Sequence, residues 1–80
     1  MDIRILGTGC ARCNELEKRT TNALADLNVE ADIQKVKDIK KIAEYGVFVT
    51  PGLVINNRVK SSGRLPSVEE IKSWIQEESR

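Results

Sequence analysis

The chain has 80 residues, a formal charge of +1 and 40% apolar side chains, which predicts one domain spanning residues 1–80 with no second core. The near-neutral balance gives no basis for nucleic acid or an anionic membrane as partner, and no apolar run approaches the roughly 20 residues that span a bilayer. Two cysteines and no histidine fall short of a disulfide-stapled secreted framework, and the amino terminus lacks the basic and apolar regions of a signal peptide. A cytoplasmic protein is expected.

Asp2 to Leu6 alternates charged and apolar residues and stops at Gly7-Thr8-Gly9, which predicts a strand and a turn. From Cys10 the positions Cys13, Leu16, Thr20, Ala23, Leu24 and Leu27 recur at steps of three and four, with polar residues between them. That is an amphipathic helix, and Asn28 stops it. Val29 to Val36 reads as a second strand, completing a βαβ unit with parallel strands.

Asp38 is placed to cap a short helix that buries Ile39, Ile42 and Ala43 and ends at Gly46. The lysines at 35, 37, 40 and 41 read as a solvated face. Val47-Phe48-Val49 leads to Thr50-Pro51, and Gly52 to Ile55 reads as a strand buried on both faces. Asn56-Asn57 suits a two-residue hairpin, because Asn tolerates the left-handed backbone, and Val59 begins the return strand. After Gly63-Arg64-Leu65-Pro66, Ser67 and Glu70 have capping-box spacing, and Val68, Ile71, Trp74 and Ile75 form the stripe of a helix reaching Gln76.

Cys10 and Cys13 carry the chemistry. A bridge between cysteines three positions apart closes too small a loop to stabilise the fold much. A disulfide-exchange site, by contrast, needs one ionised, exposed thiol and a second that can reach it. At the first turn of the helix, Cys10 would face unsatisfied N–H groups and the positive end of the helix dipole, which favour thiolate. Cys13 lies one turn on and could attack a mixed disulfide formed at Cys10. Arg12 adds a cation nearby. The alternative is a Cu(I)- or zinc-binding module, since two thiolates suit Cu(I), but a closed zinc site wants four ligands and the chain has no other cysteine.

Gly9-Cys10-Ala11-Arg12-Cys13, the run from Val49 to Asn56, and Gly63-Arg64-Leu65-Pro66-Ser67 together resemble the thioredoxin-like superfamily. The match is to its small thioredoxin/glutaredoxin-like redox-active disulfide proteins of archaea and bacteria. The resemblance covers essentially the whole chain. It implies an α/β thioredoxin fold, βαβαββα, with a four-stranded mixed sheet in order 2-1-3-4 flanked by three helices. It also implies a cis Pro51 beside the cysteine pair, and substrate contacts from Thr50, Pro51, Ala11 and Arg12.

The implied function is reduction of protein disulfides by a monomer without bound cofactor, re-reduced by an NADPH-dependent thioredoxin reductase or an equivalent donor. Ala11-Arg12 differs from the Gly-Pro of typical thioredoxins and the Pro-Tyr of typical glutaredoxins. The first strand lacks the buried acid that assists the resolving cysteine in thioredoxins. Ser62-Gly63-Arg64 replaces the glutathione-holding signature of glutaredoxins, which favours protein disulfides as substrates. Small copper chaperones also place C-x-x-C after a first strand, but they run βαββαβ and end in a strand rather than a helix.

Cys10 is expected to titrate below the free-thiol value of about 8.5. Iodoacetamide alkylation of the reduced protein against pH measures this. An inflection at or above that value would remove the dipole argument.

Overall fold

The structure, a computed structural model, describes residues 1–7, 9 and 11–79. Its elements are β1 (Asp2–Leu6), α1 (Ala11–Leu27), β2 (Asp32–Val36), α2 (Ile39–Glu44), β3 (Gly52–Ile55), β4 (Arg58–Ser62) and α3 (Val68–Glu78). The order is βαβαββα, as the chain pattern predicts. All four strands join one sheet in the order β2-β1-β3-β4.

β1 runs parallel to β2 and antiparallel to β3, which pairs antiparallel with β4. The most apolar strands take the centre, and the charge-bearing β2 and β4 take the edges, where charges discourage pairing with another chain. Side chains alternate across the sheet. Ile3, Ile5, Leu53 and Ile55 pack with Leu16, Ala23 and Leu24 of α1 and Ile71 and Ile75 of α3. Leu6 and Val54 face the other way, against Ile42 of α2 and Val47.

Local chemistry sets the element ends. Asn28 takes φ 54° and closes α1, while Asn56 and Asn57 take φ 51° and 66° and turn the hairpin between β3 and β4. The Asp38 side chain accepts from the Lys40 N–H at 2.9 Å and starts α2. At α3 the capping box is complete: Ser67 Oγ accepts from Glu70 N–H at 3.2 Å, and Glu70 Oε1 accepts from Ser67 N–H at 3.3 Å.

Three expectations need correction. β2 starts at Asp32 rather than Val29, because its ladder begins at Asp2↔Asp32 and the Val29 N–H instead donates to Leu24 O at 3.0 Å, closing the helix end. Ile39 is 72% exposed and Ala43 only partly buried, since α2 is six residues long and buries only Ile42. α3 continues past Gln76 to Glu78, whose carboxylate holds Lys60 of β4 at 3.0 Å. No helix among the described residues is long and apolar enough to cross a membrane.

Arg64 donates to the Glu70 carboxylate at 2.6 and 3.2 Å, and this, with the Ser67 N–H, holds the Glu70 carboxyl below its ordinary value. A depressed folded-state value means that the stabilisation is complete above the ordinary carboxylate value and is lost as pH falls through the lowered one. Glu70→Gln keeps an acceptor for the cap but removes the charge. Its melting temperature should therefore lie below wild type at neutral pH, with the gap closing below about pH 4. A gap constant with pH would show that the charge contributes nothing.

Candidate functional site

The end of β1, the first turn of α1 and the loop before β3 meet at one place. The Gly7 N–H donates to Val36 O at 2.9 Å, carrying the β1–β2 ladder one residue beyond Leu6. A Cβ on Gly7 would overlap the Cys13 sulfur and would lie 3.2 Å from Cys13 Cβ and 3.8 Å from Thr50 Cβ. Only glycine leaves room there. Cys13 is 5% exposed and shares the buried face of α1 with Leu16 and Thr20, so its sulfur rests on the Gly7 backbone. Gly9 has φ 88°, a backbone that a side chain would strain.

The Thr50–Pro51 peptide bond is cis. Pro51 is fully buried, and its carbonyl accepts from the Gly63 N–H at 2.9 Å. A Cβ on Gly63 would lie 3.1 Å from Val49 Cγ1, so the loop after β4 presses against the loop before β3. Thr50 itself is half-buried.

Of the residues that the sequence singles out, Cys13 and Thr50 are brought together around Gly7, with Pro51 next to Thr50 in the cis loop. Ala11 and Arg12 are exposed on the first turn of α1. Cys10, the expected nucleophile, lies outside the described residues, as does Thr8. The acid in β1 is Asp2, at the far end of the strand, where it pairs with Arg4 at 3.3 Å. Toward α1 the strand presents Ile3 and Ile5 instead.

Sequence reasoning overlooked the surface of this loop. Phe48 is 83% and Val49 62% exposed, while Val47 is buried. The signal was the apolar run of three directly before Thr50-Pro51, too long for a loop that turns one residue to the core.

Residues 1–76 match the family model described as a thioredoxin domain. A thioredoxin from Methanocaldococcus jannaschii is 47% identical over 73 residues, covering 91% of this chain and 84% of that protein. A thioredoxin from Methanothermobacter thermautotrophicus is 43% identical over 75 residues, covering 94% and 97%.

Gly7→Ala should overpack the contact with Cys13 and cost about 1–3 kcal/mol, read from denaturant unfolding. An unchanged midpoint would mean that the sulfur does not rest on Gly7.

Proposed function

The chain belongs to the thioredoxin family, and on that premise we propose that Cys10 and Cys13 carry its thiol–disulfide oxidoreductase activity as a protein-disulfide reductase. The observation that carries this reading is the seat of Cys13. It is shielded on the Gly7 backbone and adjoins Thr50 of the cis loop, as a resolving thiol beside a substrate edge must be. Ala11, the residue after Cys10 in the sequence, opens α1, which supports a lowered thiol pKa at Cys10.

Cys10 thiolate attacks one sulfur of a substrate disulfide. That S–S bond breaks, a mixed disulfide forms, and the departing thiolate takes a proton from solvent. Cys13 then gives up its proton, to water or to a neighbouring group. Its thiolate attacks the Cys10 sulfur and releases the second substrate thiol. Two electrons have passed to the substrate, and the protein holds a Cys10–Cys13 disulfide. A flavin-containing, NADPH-dependent thioredoxin reductase, or an equivalent dithiol donor, returns it to the dithiol.

Thr50 and Pro51, with Ala11 and Arg12 on the exposed first turn of α1, form the substrate edge. The backbone at Thr50 pairs with an extended segment as one added strand. The protein acts as a single domain and a monomer in the cytoplasm, with no cofactor besides its own disulfide. The metal-binding alternative draws no support from the family or the relatives.

Insulin reduction with NADPH and a thioredoxin reductase tests the assignment. Wild type should turn over, Cys10→Ser should abolish turnover, and Cys13→Ser should accumulate a mixed disulfide visible by mass spectrometry. Undiminished reduction by Cys10→Ser would falsify the roles given to the two thiols.

A further inference from the structure

We propose that the groove between α2 and the open part of the sheet is a second site, which seats the phosphate group of a small phosphorylated molecule. It stands apart from the disulfide-reductase reading, since it shares no residue with the contact of Cys13, Gly7 and Thr50.

The groove measures about 680 Å³, a size that suits a small ligand. Strand register makes its floor. Arg4 pairs with Gln34 and Leu6 with Val36 in the parallel ladder of β1 and β2, so these four share the face on which α2 packs. Leu6 is sealed under Ile42, and the groove opens beside it over Arg4, Gln34 and Val36.

Arg4 is held in place there. Its Nη1 donates to the Tyr45 hydroxyl and its Nη2 pairs with Asp2 at 3.3 Å. Its Nε is buried with no hydrogen-bond partner among the described residues. A buried donor without a partner is costly, and an anion oxygen settling against the guanidinium supplies one. The planar fork matches phosphate geometry, and a guanidinium already fixed loses little freedom when it binds.

Two ammonium groups complete the seat. Of the lysines that line the groove, Lys35 is held by Glu17 of α1 at 3.1 Å, whereas Lys37 and Lys41 form no ion pair among the described residues. Of the two lining carboxylates, Asp38 accepts the Lys40 N–H as the cap of α2, and Glu44 lies at the other end of that helix. Lys40, exposed and outside the lining, belongs to the solvated face alone.

Charge and shape choose the ligand. The whole chain carries only +1, and Asp2, Asp38 and Glu44 interrupt the cations, so the described residues offer no continuous basic track for a nucleic-acid backbone. One concave seat with a fixed guanidinium and two uncommitted ammonium groups fits a single doubly charged phosphate. Val36, the Tyr45 side chain and the Gln34 amide remain for the body of the molecule.

The test is titration of the isotope-labelled, full-length protein with AMP, ribose 5-phosphate and adenosine, followed by amide NMR shifts. Both phosphates should saturate, with half-saturation at or below about 1 mM and the largest shifts at Gln34, Val36, Lys41 and Tyr45. Adenosine, which lacks the phosphate, should not saturate. Lys37→Gln and Lys41→Gln should each weaken AMP about tenfold, the effect of losing one charge-assisted hydrogen bond. Lys40→Gln removes the same charge from the same helix outside the groove, and should change the affinity by less than about twofold, because exposed charges are screened. Failure of either phosphate to saturate, or shifts with adenosine as strong as those with AMP, would overturn the site. So would wild-type affinity in Lys41→Gln, or a loss in Lys40→Gln as large as in Lys41→Gln.

Discussion

Everything at the functional end of this molecule depends on one close approach, the Cys13 sulfur lying on the bare backbone of Gly7 with Thr50 alongside. Three segments distant in the chain share that spot. The antiparallel register Leu6↔Gly52 brings the loop before β3 to the end of β1, and α1 returns from the same end. A methyl group at position 7 would part them. The contact also keeps the Cys13 sulfur in the buried face of the helix, 5% exposed.

The two faces of the sheet are covered unequally, and the consequences reach the site. α1 and α3, with 17 and 11 residues, seal one face over a core of Ile3, Ile5, Leu53 and Ile55. The other face has only the six residues of α2, enough to bury Leu6 and Val54 under Ile42 and Val47. Beyond that small cluster the sheet stays open, and an outer groove there is bordered by Arg4, Gln34, Lys41 and Tyr45. Arg4 spans it by donating to the Tyr45 hydroxyl and pairing with Asp2 at 3.3 Å. On the side nearer Thr50, Ile39 and Phe48 stand in solvent.

Much of this was legible in the chain. The steps of three and four from Cys13 to Leu24 mark the buried face of α1, and Ser67 with Glu70 marks the start of α3. Asn56-Asn57 marks the hairpin, and the unbroken apolar run from Leu53 to Ile55 marks a central strand. Each is a rule that operates within a few residues. Where the reading failed, the deciding partner was remote. The length of β2 depends on where β1 offers backbone to pair with, and the apolar alternation of Val29 and Ala31 is satisfied by packing on the core outside any strand. Ile39 has the right spacing from Ile42 for a buried face, but it stands outside the cluster of Leu6, Ile42, Val47 and Val54.

The C-x-x-C pair, its position at the head of a helix and the Thr50-Pro51 dipeptide were written in the sequence, and with them the class of chemistry. So were the caps, the turns and the order of elements, because hydrogen-bonding side chains and backbone preferences act locally. Only the tertiary structure decided that Cys13 sits on Gly7 beside Thr50, and that Phe48, Val49 and Ile39 face solvent next to them. Those outcomes follow from strand register and from how far a short helix reaches across a sheet. Both are set by pairing between segments tens of residues apart, which no local pattern encodes.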